Sequence, residues 1–333
     1  MKKQKKLALL TAGIATAALT LAACGGQQAG DEAGSGADES SCDAGEGRLS
    51  IATGNSTGVY FVVGGGLAKL INDETDVQAT SAETGASVQN IQQLVEGDYD
   101  VAFSLADTAA DAVNGEGDFD SAEDVSTIGR IYSNYTQIVV RTDSGIDSVA
   151  DFKGKRISTG SPQSGTEVIA NKLIEAAGLK TSDVKAQRLD LTKTIDGMKD
   201  GSIDGLVWSG GIPTPALTDL VTSVGDDVKF LDATPLLPKL KKINQVYEAG
   251  TVPAATYELD KDVPSIVVPN LLMVRNDMRD NLACALTTLV FGETDKLVDV
   301  HPAAKEIALE NGEKSDPVPV HPGSERAFAD LAK

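Results

Sequence analysis

Leu49-Ser50-Ile51-Ala52-Thr53-Gly54, then Asn55-Ser56-Thr57-Gly58 and the apolar run from Val59 to Ile71, reads as a strand that ends in Thr-Gly, turns through small polar residues and opens a helix. The same grammar returns at Arg156-Ile157-Ser158-Thr159-Gly160, followed by Gly165 and a helical run from Thr166 to Ala177. Repeated strand-turn-helix units imply a parallel sheet. Ligands of such sheets gather at the carboxyl ends of the strands. If the two turns face each other, two helix N-termini direct unpaired N–H groups into one cleft, which suits a carboxylate even in an acidic protein.

Working outward, strands are expected at Val77 to Ser81 and Val101 to Ser104, with helices at Ser87 to Glu96, stopped by Gly97, and from Asp107 to Asn114. A second series follows with strands at Thr136 to Arg141, Lys185 to Leu189 and Ile203 to Trp208, and a helix at Thr192 to Lys199. Beyond Val221 the rhythm loosens into connections bearing Pro235, Pro238, Pro253, Pro264 and Pro269. One strand-like run, Leu271 to Arg275, and helices at Arg279 to Phe291 and Pro322 to Leu331 close the chain. Roughly 285 residues from Arg48 onward exceed what one hydrophobic core usually serves. Two α/β lobes are therefore expected: 48–138 with 235–333 as lobe 1, and 139–234 as lobe 2.

The N-terminus carries an address. Lys2, Lys3, Lys5 and Lys6 precede an apolar run from Leu7 to Leu21 and then Leu21-Ala22-Ala23-Cys24, the order of a secretory signal. The four residues to Cys24 resemble a bacterial lipobox, so residues 1–23 are read as a lipoprotein signal peptide and Cys24 as the lipidated residue. The run is short for a span of the ~30 Å hydrocarbon core. Residues 24–47 hold no aliphatic side chain larger than Ala and read as a flexible acidic linker. Outside the membrane, Cys42 and Cys284 are candidates for a disulfide.

The formal charge is −20, and loss of four lysines with the leader makes the mature chain more acidic. Nucleic acid and anionic lipid are poor partners for such a surface, and a monomer is the default. Gly54-Asn55-Ser56-Thr57-Gly58 also fits a GxSxG nucleophile elbow between strand and helix, so a serine hydrolase using Ser56 is the enzyme alternative. Against it, the elbow falls on the first strand, no HGGG loop precedes it, and the two histidines, His301 and His321, stand before prolines. Metal spacing and a GKS or GKT phosphate loop are absent from the sequence, and no cofactor is expected. Gly64-Gly65-Gly66 lies inside a helical run and reads as a place of close packing. Trp208, at a strand end before Ser209-Gly210-Gly211-Ile212-Pro213, together with Tyr60 and Tyr135, is a candidate cleft aromatic.

Thr53 to Tyr60 with Gly66-Leu67-Ala68 resembles the opening signature of the TAXI solute-binding proteins of TRAP transporters. Thr84 to Ile91, Ala106-Asp107, Ile138 to Arg141, Gly160 to Glu167, Asp200 to Asp204, Gly211-Ile212-Pro213 and Val263-Pro264 continue the resemblance in order, over Arg48 to about Pro302. The resemblance implies a type II periplasmic-binding-protein fold, with two α/β lobes, a hinge and a central ligand cleft. It also implies an extracytoplasmic receptor that hands an amino acid or carboxylate, such as glutamate, glutamine or 2-oxoglutarate, to a TRAP permease. Carried over residue by residue, ligand contacts fall on Thr53, Asn55, Ser56, Thr57, Gly58, Val59, Tyr60 and Ser87 in one lobe. In the other they fall on Ser164, Gly165, Thr166 and the Trp208 to Pro213 turn, Trp208, Gly211 and Pro213 first among them, with Tyr135 at the crossover. Leu105-Ala106 stands where many relatives carry a polar pair, which points to a smaller or less polar ligand. A sensory lipoprotein on the same fold is the alternative to transport.

Overall fold

A computed structural model describes residues 41–333. Strand β1 (Glu46–Ala52) buries Leu49, Ile51 and Ala52, and feeds α1 (Val59–Glu74) through the Thr53 to Gly58 turn. β2 (Asp76–Ala82), α2 (Ser87–Glu96), β3 (Val101–Leu105) and α3 (Ala106–Asn114) follow, with β1 between β2 and β3 and parallel to both. Helices α2 and α3 end on Gly97 and Gly115 in left-handed conformation, which a residue without Cβ adopts at little cost. A Cβ on Gly64 would collide with Thr53 Cγ2. The glycine run therefore seats α1 directly on the end of β1.

The chain then crosses the molecule on β4 (Val125–Arg141) and builds a second half from β5 (Arg156–Ser158), α4 (Gly165–Ala176), β6 (Lys185–Gln187), α5 (Leu191–Asp200), β7 (Gly205–Gly210) and α6 (Pro215–Val224). β5 is parallel to both β6 and β7. β8 (Val228–Leu231), α7 (Leu237–Ile243) and β9 (Glu248–Val252) lead into β10 (Val263–Arg275), which returns to the first half. Helices α8 (Asp280–Gly292), α9 (Thr294–Val298), α10 (Leu309–Gly312) and α11 (Pro322–Leu331) finish the described chain.

The strands run in the order β2-β1-β3-β10-β4-β7-β5-β6. The sheet is parallel within each half, but β10 is antiparallel to both β3 and β4, and β4 is antiparallel to β7. The expectation of a parallel sheet thus fails at the centre, where one strand leaves the first half and another comes back. Both crossing strands are longer than their sequence signals. Ser126, Thr127, Ser133 and Asn134 are buried polar residues in β4 that hide its apolar pattern, and Pro264 and Pro269 hide the first part of β10. The ladder with β4 slips between Pro269 and Leu271, as a proline without an N–H requires.

Two boundaries differ from the sequence reading. Val252 and Tyr257 pack in one apolar cluster with Leu206 and Leu217, and Thr214 N donates to Tyr257 Oη at 2.8 Å. The return to the first half therefore lies along β10, later than residue 235. At the other end β1 starts at Glu46. Cys42 is disulfide-bonded to Cys284 of α8, with Cα atoms 5.0 Å apart, and Asn281 Nδ2 donates to Asp43 O at 2.7 Å. The last residues assigned to a flexible linker are thus anchored. The signal peptide, Cys24 and the linker through residue 40 lie outside the described residues. Among the described residues no helix is long and apolar enough to cross a membrane.

Candidate ligand-binding site

A cavity of about 30 Å³ lies where β1, β3 and β7 end and α1, α2 and α4 begin. The α1 turn closes through Gly58 N, which donates to Asn55 O at 2.8 Å, and no side chain caps the helix. The first-turn N–H groups of Val59 and Tyr60, which have no partner inside a helix, are left at the cavity wall. Helix α2 enters from Ala86 at φ +83°, also without a side-chain cap. Ser87 Oγ accepts from Leu105 N at 3.1 Å and fixes the end of β3 beside it.

Helix α4 is built differently. Ser164 Oγ accepts from Glu167 N at 3.0 Å, a side-chain N-cap, while Gly165 and Thr166 face the cavity. A Cβ on Gly165 would sit 2.6 Å from both Leu105 Cδ1 and Ser87 Oγ, so glycine is what lets α4 approach the first half. Trp208 forms the opposite wall, its Nε1 donating to Thr214 Oγ1 at 3.1 Å. Its ring lies so near Gly58 that a Cβ there would be 3.4 Å from Cζ2.

Beneath the cavity a buried chain of hydrogen bonds crosses the sheet. Tyr60 Oη donates to Asn270 Oδ1 at 2.6 Å, and Asn270 Nδ2 donates to Tyr132 O at 2.9 Å and to Asn134 Oδ1 at 2.8 Å. Asn134 Nδ2 then donates to Ser209 O at 3.2 Å. Burial pushes the Tyr60 hydroxyl far above its ordinary pKa, so it is a neutral donor. The chain joins α1, both crossing strands and β7. At the mouth, Asn55 Oδ1 accepts from Leu191 N at 3.2 Å and from Ser161 Oγ at 3.3 Å, and Gln163 Nε2 donates to Gln92 Oε1 at 3.0 Å. Deeper along the same side, Lys172 of α4 pairs with Asp111 of α3 at 2.8 Å, and burial raises the Asp111 carboxyl despite that partner.

The structure brings Asn55, Gly58, Val59, Tyr60, Ser87, Ser164, Gly165, Thr166, Trp208 and Gly211 to this wall. Five other expected contacts lie elsewhere. The Thr53 hydroxyl donates to Ala82 O, and Ser56 N donates to Glu83 Oε1. Thr57 lies with Ser56 along a separate groove beside Ile195 and Pro215. Tyr135 Oη donates to Glu306 Oε1 at 3.0 Å, its pKa raised to about 12 by burial, and Pro213 gives its carbonyl to His301. Each residue keeps its place in the motif, but none of the five lines the cavity. Leu105 and Asn134 line the cavity without having been expected as contacts, and Ser209 lines it from within the expected Trp208 to Pro213 turn. Leu105 sits in the departure from the family's polar pair. Asn134 lies in the polar part of β4 that the pattern missed.

Ser56 does not meet the needs of a nucleophile. His301 Nδ1 accepts from Ala303 N at 3.1 Å, so Nε2 carries the hydrogen and donates to Pro213 O at 3.1 Å, while burial lowers its pKa. His321 Nδ1 accepts from Gly323 N at 3.2 Å. Neither ring bonds the Ser56 hydroxyl, as a general base must. Among the described residues no cluster of three or more His, Cys, Asp or Glu could hold a metal.

Several solved structures share this architecture. A protein of Bordetella bronchiseptica RB50 is similar with a TM-score of 0.56 at 16% identity, covering 86% of this chain and 98% of that one. PhnD1 from Prochlorococcus marinus, solved in complex with methylphosphonate, gives a TM-score of 0.52 at 10% identity over 78% of this chain and 91% of its own. A binding protein component of an ABC phosphonate transporter from Pseudomonas aeruginosa gives 0.51 at 14% identity over 79% and 80%. The fold is that of type II periplasmic binding proteins. A family model matches residues 51–330, nearly all of the described chain, and the protein belongs to the NMT1-like family.

Proposed function

We propose that this protein is an extracytoplasmic solute-binding receptor that captures a small carboxylate or amino acid and presents it to a membrane permease. The observation that carries the reading is the meeting of three helix N-termini, those of α1, α2 and α4, at one cavity between the halves. Each end contributes roughly half a positive charge together with free N–H donors. An anion is thereby favoured without a formal cation, in a chain whose net charge is −20. The solved structures of similar fold, a binding protein component of a phosphonate transporter and a protein bound to methylphosphonate among them, support a receptor over an enzyme.

On this reading two lobes, residues 48–138 with the chain from β10 onward and the residues from 139 to the start of β10, close on solute by hinge motion about β4 and β10. The motifs shared with TAXI proteins make a TRAP permease the partner. A lipid on Cys24 would hold the receptor at the outer face of the cytoplasmic membrane, and the residues after it would form its leash. Ligand binding stabilises the folded state by RT ln(1 + [L]/Kd), about 2.7 kcal/mol at a hundredfold excess over Kd. A thermal-shift screen of amino acids, dicarboxylates and keto acids tests the proposal. A rise of several degrees with one class supports it, and an unmoved transition throughout would sink it.

A further inference from the structure

The hydrogen-bonding inventory of the cavity narrows the ligand class. Among the described residues, none that lines the cavity is Asp, Glu, Lys, Arg or His. Several of the carbonyl and carboxamide acceptors on its wall are engaged by the protein. Asn55 Oδ1 accepts from Leu191 N and Ser161, and Asn134 Oδ1 accepts from Asn270 Nδ2. Ser209 O accepts from Asn134 Nδ2, and Gly211 O accepts from Thr214 Oγ1 at 2.8 Å. Gly54 O accepts from Thr84 N at 3.3 Å.

The donors are less engaged: in the first turn of α2, Gln89 N donates to Gln163 O at 3.0 Å, while the N–H groups of Ser87 and Val88 before it have no partner inside the helix. The first turns of α1 and α2 have no side-chain cap, and the cap of α4 engages Glu167 N and leaves the N–H groups before it. A second, independent sign of a ligand is Ser209. It lines the cavity, is 5% exposed, and its buried hydroxyl has no hydrogen-bond partner among the described residues. Burying such a group without a partner is unfavourable, and a ligand oxygen would accept from it.

An α-ammonium group brings three N–H donors and a positive charge, and needs acceptors or a carboxylate when it leaves water. This cavity faces it with helix N-termini and offers no free carboxylate. A keto or hydroxyl oxygen at the same carbon makes the opposite demand, since it accepts. Leu105, Val59 and the Trp208 ring supply apolar wall for a short carbon body.

Resting on the receptor reading above, we infer that the site takes a small carboxylate without an ammonium group, a 2-oxo acid being the fitting class, and rejects the α-amino acid of the same skeleton. The carboxylate lies on the helix N-termini, and Ser209 Oγ donates to one of the ligand's oxygens.

The test is calorimetric titration of the mature protein with two matched pairs, 2-oxobutanoate against 2-aminobutanoate and 2-oxoglutarate against glutamate. The expected result is binding of the oxo member of at least one pair, with its amino partner weaker by about 100-fold, the scale of discrimination that unpaired buried polar groups produce. Equal or tighter binding of an amino partner overturns the inference and leaves the receptor reading intact. Failure of all four acids to bind overturns the inference, and the receptor reading falls only if the wider thermal-shift screen is also without effect. Ser209→Ala, checked for an unchanged melting temperature without ligand, is expected to weaken binding of the oxo acid about tenfold, the value of a hydrogen bond to a charged or strongly polar group. An unchanged affinity would remove Ser209 from the site.

Discussion

The two strand-to-helix turns, Thr53 to Tyr60 and Thr159 to Thr166, look alike in sequence and differ in what they do with their polar groups. The first leaves α1 uncapped, with its hydroxyl residues Ser56 and Thr57 off the cavity wall and its N–H groups on it. The second caps α4 with Ser164 and holds Gly160 at φ +94° and Gln163 at φ +60°, a rigid turn. It also brings Gly165 against Leu105 and Ser87 of the other half. The first turn is thus a donor surface, and the second is a shaped wall that closes on it. Similar letters give different chemistry because capping depends on which hydroxyl reaches the N3 amide.

Four measurements can break or sharpen that contrast. Gly165→Val should have the largest effect, a loss of about 100-fold in affinity for 2-oxobutanoate, since new side-chain atoms meet Leu105 and Ser87 only when the halves are together. Titration calorimetry reads it, and an affinity within threefold of the parent would show that close approach is not needed. Asn55→Ala removes the hydrogen bonds to Ser161 and Leu191 and should weaken binding about tenfold, leaving the melting temperature without ligand unchanged.

Ser164→Ala should cost about 1 kcal/mol in chemical denaturation, the usual value of an N-cap. In the first turn, Thr57→Ala, one residue before the Gly58 N-cap, should cost less, because the Thr57 hydroxyl is buried without a partner among the described residues. Equal losses at the two sites would erase the contrast. The smallest effect concerns the sheet beneath the second turn, where Asp204 of the β7 entry accepts from Arg156 N at 2.7 Å and pairs with the Arg156 guanidinium. That guanidinium holds the Asp204 carboxyl below its ordinary pKa. A lowered folded-state pKa stabilises the protein above the unfolded value, about 3.9, and the stabilisation disappears as pH falls through the lower folded value. Asp204→Asn should therefore lower the melting temperature at pH 7, with the gap to the parent closing below about pH 4.

Much of the first half was legible. The α2 boundaries, Ser87 and Glu96, coincide in sequence and structure because Gly97 must adopt a left-handed conformation that stops the helix. The crossing strands were not legible in full. Their central positions are held by Asn134 and Asn270, buried polar residues whose partners lie across the sheet, and no local pattern announces such a pairing. The same reason accounts for the site. Motif membership led to Thr53, Ser56, Thr57, Tyr135 and Pro213, but a motif does not say which way a side chain faces. Asn134 and Ser209 belong to no helix-opening turn, yet they complete the wall.

By itself, the sequence determined the repeated strand-turn-helix units, the glycines at their turns and the concentration of polar backbone at Thr53 to Tyr60 and Ser164 to Thr166, because these follow from contacts between near neighbours in the chain. Tertiary structure alone decided that β4 and β10 run antiparallel through the middle of the sheet. It also decided that three helix ends meet at one cavity, and that no Asp, Glu, Lys, Arg or His among the described residues lines it. Those outcomes depend on hydrogen bonds between residues far apart in sequence, such as Asn55 with Leu191 and Tyr60 with Asn270, and only the folded chain brings such partners together.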